Sequence, residues 1–127
     1  MASDAPWILV VDDEVGYRNL FEWHLKKLGF NVEVAENGAE AVAMTEKTNF
    51  SLVITDITMP ELNGIQLLEK LKHSMPQTTV ILATGFGTVE TAVHAMKMGA
   101  YDFLLKPFNI EKFMATVQKA LNAPRKS

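Results

Sequence analysis

Ser51-Leu52-Val53-Ile54-Thr55-Asp56-Ile57-Thr58-Met59-Pro60 is a short apolar run that ends abruptly in a carboxylate. Leu52 to Ile54 are too few for a helix and rich in β-branched side chains. The run therefore reads as a buried strand, bounded downstream by the turn residues Pro60, Asn63 and Gly64. Asp56 then stands at the strand's carboxyl end. In an open parallel α/β sheet ligands bind at that edge, which makes the acid a candidate for chemistry. A single Asp in a turn is more simply explained by hydrogen bonds to nearby backbone N–H groups. What the other strands set beside it decides between the two.

Upstream, Trp7-Ile8-Leu9-Val10-Val11 is a second apolar run, read as a central buried strand, and it stops at the acidic turn Asp12-Asp13-Glu14. Tyr17, Leu20, Phe21, Leu25 and Leu28 follow at helical spacing, ended by Gly29. Asn31-Val32-Glu33-Val34-Ala35 alternates polar and apolar, so its strand is half exposed and belongs at an edge. Asn37-Gly38 turns the chain into a helix with a modest face of Ala39, Val42 and Ala43, and Glu36 and Glu40 complement the dipole near its start. Downstream of Asp56, the residues Ile65, Leu68, Leu71 and Met75 mark a third helix that Pro76 ends. Thr79-Val80-Ile81-Leu82-Ala83 is a fourth buried strand, closed by Thr84-Gly85-Phe86-Gly87, and Val89, Ala92, Val93 and Met96 form a helix face before Gly99. Tyr101 to Leu105 makes a fifth strand ending in Lys106-Pro107, and Ile110, Phe113, Met114, Val117, Ala120 and Leu121 give the strongest helical stripe.

Strands and helices in strict alternation predict an α/β fold: a flavodoxin-like, doubly wound, five-stranded parallel sheet with five helices on its two faces. Strand order 2-1-3-4-5 suits the pattern, because it puts the alternating second strand at an edge and the apolar first, third and fourth inside. Residues 7–123 form this domain, 1–6 a polar leader and 124–127 a polar tail or the start of a linker. The 127 residues carry a net charge of −3 without a block of like charges, which disfavours a broad nucleic-acid-binding surface. The chain has no cysteine, so disulfides and thiolate metal sites are excluded. With neither a signal peptide nor a long apolar span, the expected setting is cytoplasmic, away from membranes.

The carboxyl ends of four strands now supply Asp12-Asp13, Asp56, Thr84 and Lys106 to one crevice at the switch point. Each has a bland alternative: a helix cap for Asp13, a turn hydroxyl for Thr84, a solvated cation for Lys106. All coinciding at one sheet edge is much the rarer outcome. Two carboxylates about 4 Å apart repel by roughly 4 kcal/mol at an effective dielectric of 20, so the crevice needs a cation. Oxygen ligands without a nearby histidine favour a hard divalent ion, best Mg²⁺. A carboxylate nucleophile, a metal, an ammonium and a hydroxyl together suit transfer of a phosphoryl group to Asp56.

These residues carry a resemblance. Asp12-Asp13, Asp56 with Met59-Pro60 and Gly64 behind it, Thr84-Gly85, and Lys106-Pro107-Phe108 agree in order and spacing with the response-regulator receiver domain of two-component signalling, over residues 7–123. The stretch from Thr84 to Val93, leading to Gly99-Ala100-Tyr101-Asp102-Phe103, is similar to receivers of nitrogen-regulation-type transcription activators. The resemblance implies a phosphorylatable switch rather than an enzyme with an external substrate. Asp56 would accept a phosphoryl group from a sensor histidine kinase or phosphotransfer protein. Asp12, Asp13, Asp56 and the Thr58 backbone carbonyl would hold Mg²⁺, and Thr84 and Lys106 would each bond a phosphoryl oxygen.

A cis Lys106-Pro107 bond is implied too, as is a switch in which Thr84 moves inward, Phe103 follows, and the surface of the fourth helix, fifth strand and fifth helix changes shape for an output domain or a second copy. Direct contact with nucleic acid is not expected of this domain. Phe103 departs from a common tyrosine, and Phe86 from a common polar residue. Thr58 and Phe86 flank the path of a hydrolytic water and are expected to set the lifetime of the phosphorylated state. His94, Lys97, Met98 and Tyr101 are expected on the partner face, while Trp7 is expected to pack and His24, His73 and His94 to lie at the surface.

Three other functions use this architecture. A phosphohydrolase with an aspartate nucleophile would need a second acid two residues beyond Asp56, where Thr58 stands. A flavin-binding module lacks its Gly/Ser/Thr-rich phosphate loop after the first strand. A receiver-like scaffold that dimerises without phosphorylation would keep the same residues.

Overall fold

The computed structural model describes residues 5–59, 61–85 and 88–122. The positions of Pro60, Phe86, Gly87, residues 1–4 of the leader, Ala123 and the whole tail lie outside them. Among the described residues strands and helices alternate as β1 (Trp7–Val11), α1 (Val15–Lys27), β2 (Asn31–Ala35), α2 (Gly38–Lys47), β3 (Leu52–Thr55), α3 (Gly64–Ser74), β4 (Thr79–Thr84), α4 (Val89–Lys97), β5 (Asp102–Leu105) and α5 (Ile110–Asn122). The strands pair in parallel in the order β2-β1-β3-β4-β5, as expected.

Successive side chains of a strand point to opposite faces, and the three inner strands use both. Ile8 and Val10 of β1, Leu52 and Ile54 of β3, and Ile81 and Ala83 of β4 pack on one side against Phe21 and Leu25 of α1 and Phe113, Val117 and Ala120 of α5. Leu9, Val11, Val53, Val80 and Leu82 pack on the other against Ala41 of α2, Leu67, Leu68 and Leu71 of α3 and Ala95 of α4. Burial on both faces is why these strands read as unbroken apolar runs.

Polar side chains set the helix starts. Asn37 accepts a hydrogen bond from Glu40 N (2.8 Å), and Asn63 and Gln66 form a reciprocal capping box at α3. Asn37 and Asn63, read from sequence as turn residues, are thus caps. Asp13 caps nothing: the N-cap of α1 is Glu14, without a side-chain bond. α3 stops at Ser74, since Met75 precedes Pro76 and is driven out of helical geometry.

Two helix faces differ from expectation. α2 buries Gly38, Ala41 and Thr45, while Ala39 and Ala43 are exposed. α4 fully buries only Ala95, leaving Val89, Val93 and Met96 81%, 47% and 46% exposed. Both helices are alanine-rich and close to the sheet through small residues, so the bulkier apolar side chains do not mark the inner face. Leu20 of α1 and Trp7 are likewise partly exposed, at 39% and 38%.

Gly64 closely approaches the carboxyl end of β3. A Cβ placed there would run into the carbonyl of Asp56 and sit 2.9 Å from Ile57 Cα, while its N–H donates to Ile57 O at 2.9 Å. Its need for glycine is therefore steric contact with the Asp56 backbone. Gly64→Ala is expected to lower unfolding free energy by about 1–3 kcal/mol, the range for forcing an extra carbon into packed structure, read from urea denaturation. An unchanged midpoint would show that the loop yields freely.

Candidate functional site

The strand order reverses between β1 and β3, and the parallel ladder continues one residue past each. Asp56 N donates to Val11 O (2.9 Å) and Asp12 N to Ala35 O (3.1 Å). Two acids far apart along the chain are thereby set side by side on fixed backbone. Asp12 is 1% and Asp56 4% exposed, whereas Asp13 and Glu14 reach solvent. One carboxylate oxygen from each of these four residues lies within 4.8 Å of the others.

Lys106 enters from the end of β5, anchored by a hydrogen bond from its N–H to Thr84 O (2.8 Å). Its Nζ lies 2.6 Å from Asp12 Oδ2, 3.3 Å from Asp56 Oδ2 and 3.6 Å from Glu14 Oε1. The following peptide bond to Pro107 is cis. The second carboxylate oxygens are also held: Asp56 Oδ1 accepts from Ile57 N (2.7 Å) and Thr58 N (3.3 Å), and Asp12 Oδ1 from Glu14 N (2.9 Å). Arg18 donates through Nη1 to the Asp12 carbonyl at 2.8 Å.

Burial pushes the Asp12 carboxyl above its ordinary value of 3.8; the hydrogen bonds from Lys106 and Glu14 N–H only partly oppose it. Burial alone would lower the Lys106 pKa. The hydrogen bond to Asp12 and the charges of Asp12 and Asp56 outweigh it, so the ammonium is held above its ordinary 10.5 and stays charged throughout the neutral range.

The crevice has a volume of about 470 Å³ and is lined by Asp13, Glu14, Tyr17, Asp56, Thr58 and Lys106, with Gly85 at the end of β4. Thr84 itself is fully buried, and Phe103 is half-buried against the α2, α3 and α4 side of the core. Asp12, Asp13, Asp56 and Lys106 thus meet as the sequence predicts, whereas Thr84, expected to open on the same crevice, is not among the residues that line it. Two residues facing the site were not foreseen. In the sequence Glu14 is only the last residue of the acidic turn, and Tyr17, whose ring centroid is 4.0 Å from Lys106 Nζ, only the first of an apolar helical stripe. The signal for Glu14 was its place in an acidic triplet; for Tyr17, a polar aromatic one helical turn from the acids. Phe86, paired with Thr58 in the expectation about phosphoryl lifetime, lies outside the described residues.

Carboxylate oxygens clustered without nitrogen or sulfur donors fit a hard divalent cation, and Mg²⁺ in particular. The arrangement can neutralise an anionic group at Asp56 from two sides, by such an ion and by Lys106.

The family model described as the response regulator receiver domain matches residues 8–118. The chain is 44% identical over 115 residues to an NtrX-like response regulator of Rickettsia felis, covering 89% of this chain and 24% of that protein. It is 38% identical over 121 residues to the transcriptional regulatory protein ZraR of Escherichia coli, covering 95% and 27%. The crystal structure of the receiver domain of NtrX from Brucella abortus superposes with a TM-score of 0.87 at 36% identity, covering 92% of this chain and 99% of that one. The chain spans about a quarter of the length of the curated relatives it matches.

Proposed function

Because this chain belongs to the response regulator receiver domain family, of the nitrogen-regulation type that its NtrX-like relatives represent, we propose that it is a switch thrown by phosphorylation of Asp56. The observation that carries this is Lys106 Nζ, buried, within 3.3 Å of both Asp12 and Asp56. Of the two buried acids Asp56 is the acceptor, since it reaches the crevice wall and Lys106 holds it less closely than Asp12, at 3.3 Å against 2.6 Å. A carboxylate oxygen of Asp56 attacks the phosphorus of a phosphohistidine on a sensor kinase or phosphotransfer protein. The O–P bond forms as the N–P bond breaks, and the imidazole nitrogen keeps the electron pair.

Lys106 and the Thr84 hydroxyl each take a phosphoryl oxygen in the product. Asp12, Asp13, Asp56 and the Thr58 carbonyl would hold Mg²⁺, which would supply the remaining charge neutralisation. The domain acts on itself and turns over no external substrate.

The output face is α4, β5 and α5. Val89, Val93 and Met96, one helical side of α4, and Leu105 of β5 (54% exposed) leave it apolar, as a docking surface for an output domain or a second copy requires. His94 and Lys97 lie exposed on α4, but Met98 and Tyr101 are half-buried against the core, so the partner face centres on Val89 and Val93. Among the described residues no helix is long and apolar enough to cross a membrane. A cytoplasmic regulator whose output domain, rather than this one, meets nucleic acid fits the relatives.

Incubation with a small-molecule phosphodonor and Mg²⁺ is expected to add one phosphoryl group by intact mass. Hydride reduction of the acyl phosphate should place it at Asp56, and chelation should slow uptake at least about tenfold. Label at another residue would overturn the reading. Acid should also weaken Mg²⁺ binding early. Since the metal-free Asp12 carboxyl titrates above its ordinary range, protons displace the ion from a higher pH than isolated carboxylates would require. Titration calorimetry should show affinity falling by up to about tenfold per pH unit below that pKa. Affinity constant down to pH 4 would remove Asp12 from the ligand set.

A further inference from the structure

Tyr17 stands in the site without a part in the chemistry above. It lies in the first turn of α1, where its ring packs tilted against Phe21 (centroids 5.7 Å apart) and Phe108 (6.3 Å). Phe108 is stacked in turn on Phe21 at 5.7 Å and on Phe113 at 5.5 Å, so the ring is braced by the aromatic end of the α1 and α5 core. One face of it meets Lys106, whose Nζ is 4.0 Å from the centroid.

We propose that Tyr17 is a positioning residue for Lys106, its ring face keeping the ammonium within reach of Asp56 while the ammonium exchanges one anionic partner for another. The inference rests on Asp56 being the phosphoacceptor. In the structure the shortest contact of Lys106 is to Asp12, at 2.6 Å, and Asp56 is second at 3.3 Å. Asp12 is also an acid that the metal would claim. When it does, a lysine on a flexible four-carbon stem loses its strongest tether at the step that needs it near Asp56. Glu14, exposed and 3.6 Å away, is then free to draw it outward. An aromatic face attracts a cation without offering a lone pair. It therefore holds Nζ in place, leaves the N–H donors to carboxylate or phosphoryl oxygens, and stays the same neighbour before and after transfer.

The test compares the wild type with Tyr17→Phe, Tyr17→Leu and a chain carrying 3,4,5-trifluorophenylalanine at this position, whose ring keeps its shape but loses its negative face. Phosphoryl uptake from a small-molecule donor at saturating Mg²⁺ is measured, with the NMR positions of the Lys106 ε-protons in metal-free protein. Tyr17→Phe should match the wild type in both. Tyr17→Leu and the trifluoro chain should take up phosphoryl on the order of tenfold more slowly, and the upfield ring-current displacement of the ε-protons should vanish in Tyr17→Leu. Wild-type rates in Tyr17→Leu, or in the trifluoro chain, would overturn the proposal. If Tyr17→Leu does not fold, the isosteric trifluoro chain decides alone. A wild type that takes up no phosphoryl group would instead sink the acceptor reading, and the ε-proton comparison would still show whether the ring holds the ammonium.

Discussion

Asp56→Asn is expected to take up no phosphoryl group where the wild type takes up one, under the same phosphodonor and Mg²⁺. The amide is nearly isosteric, so the hydrogen bonds that Asp56 Oδ1 accepts from Ile57 N and Thr58 N can be retained by the amide oxygen. What is lost is the anionic nucleophile and a charge opposite Lys106. The fold should survive, with an unfolding midpoint near the wild type, which separates a chemical effect from a structural one. Uptake in Asp56→Asn equal to the wild type would move the acceptor elsewhere, to Asp12, Asp13 or Glu14 as the other acids of the cluster.

Lys106→Met is expected to be the most destabilising single change in the site. The lysine side chain is 4% exposed, and it faces carboxylates that are 1% and 5% exposed, so its removal leaves buried negative charges without their cation. Breaking such a pair from one side costs about 3–5 kcal/mol. Protonation limits the loss. Burial already holds the folded-state Asp12 carboxyl above its ordinary value, and without the opposing hydrogen bond from the ammonium it rises further. The destabilisation is then full above the folded pKa and fades as pH falls through it. Mg²⁺ should act in the same direction by restoring positive charge. Urea midpoints at pH 7.5 and pH 5, with and without Mg²⁺, check this. A Lys106→Met midpoint equal to the wild type at pH 7.5 in metal-free buffer would show that the ion pair does not hold the site together.

The sheet was legible because its inner strands are buried on both faces and so appear as short apolar blocks; β3 and β4 extend one residue further than read, and β5 starts one later. The acids and Lys106 were legible because topology alone brings strand ends together. Helix faces were less so. Alanine contributes little to a hydrophobic stripe, yet Ala41 and Ala95 are the residues that let α2 and α4 approach the sheet. Tyr17 was hidden for a related reason: at helical spacing with Phe21 it belongs to the core pattern, and only three-dimensional proximity to a residue from β5 gives its ring a second role.

α4 makes few demands on the interior. Its one fully buried side chain is an alanine, whereas α3 and α5 sink leucines, a phenylalanine and a valine. Little apolar area is lost if it slides or rolls, so its seat is a shallow one. A stiff end, clamped by ladder hydrogen bonds at Asp12 and Asp56, therefore lies in the same sheet as a lightly moored helix beyond β4, the division of labour that the proposed switch requires.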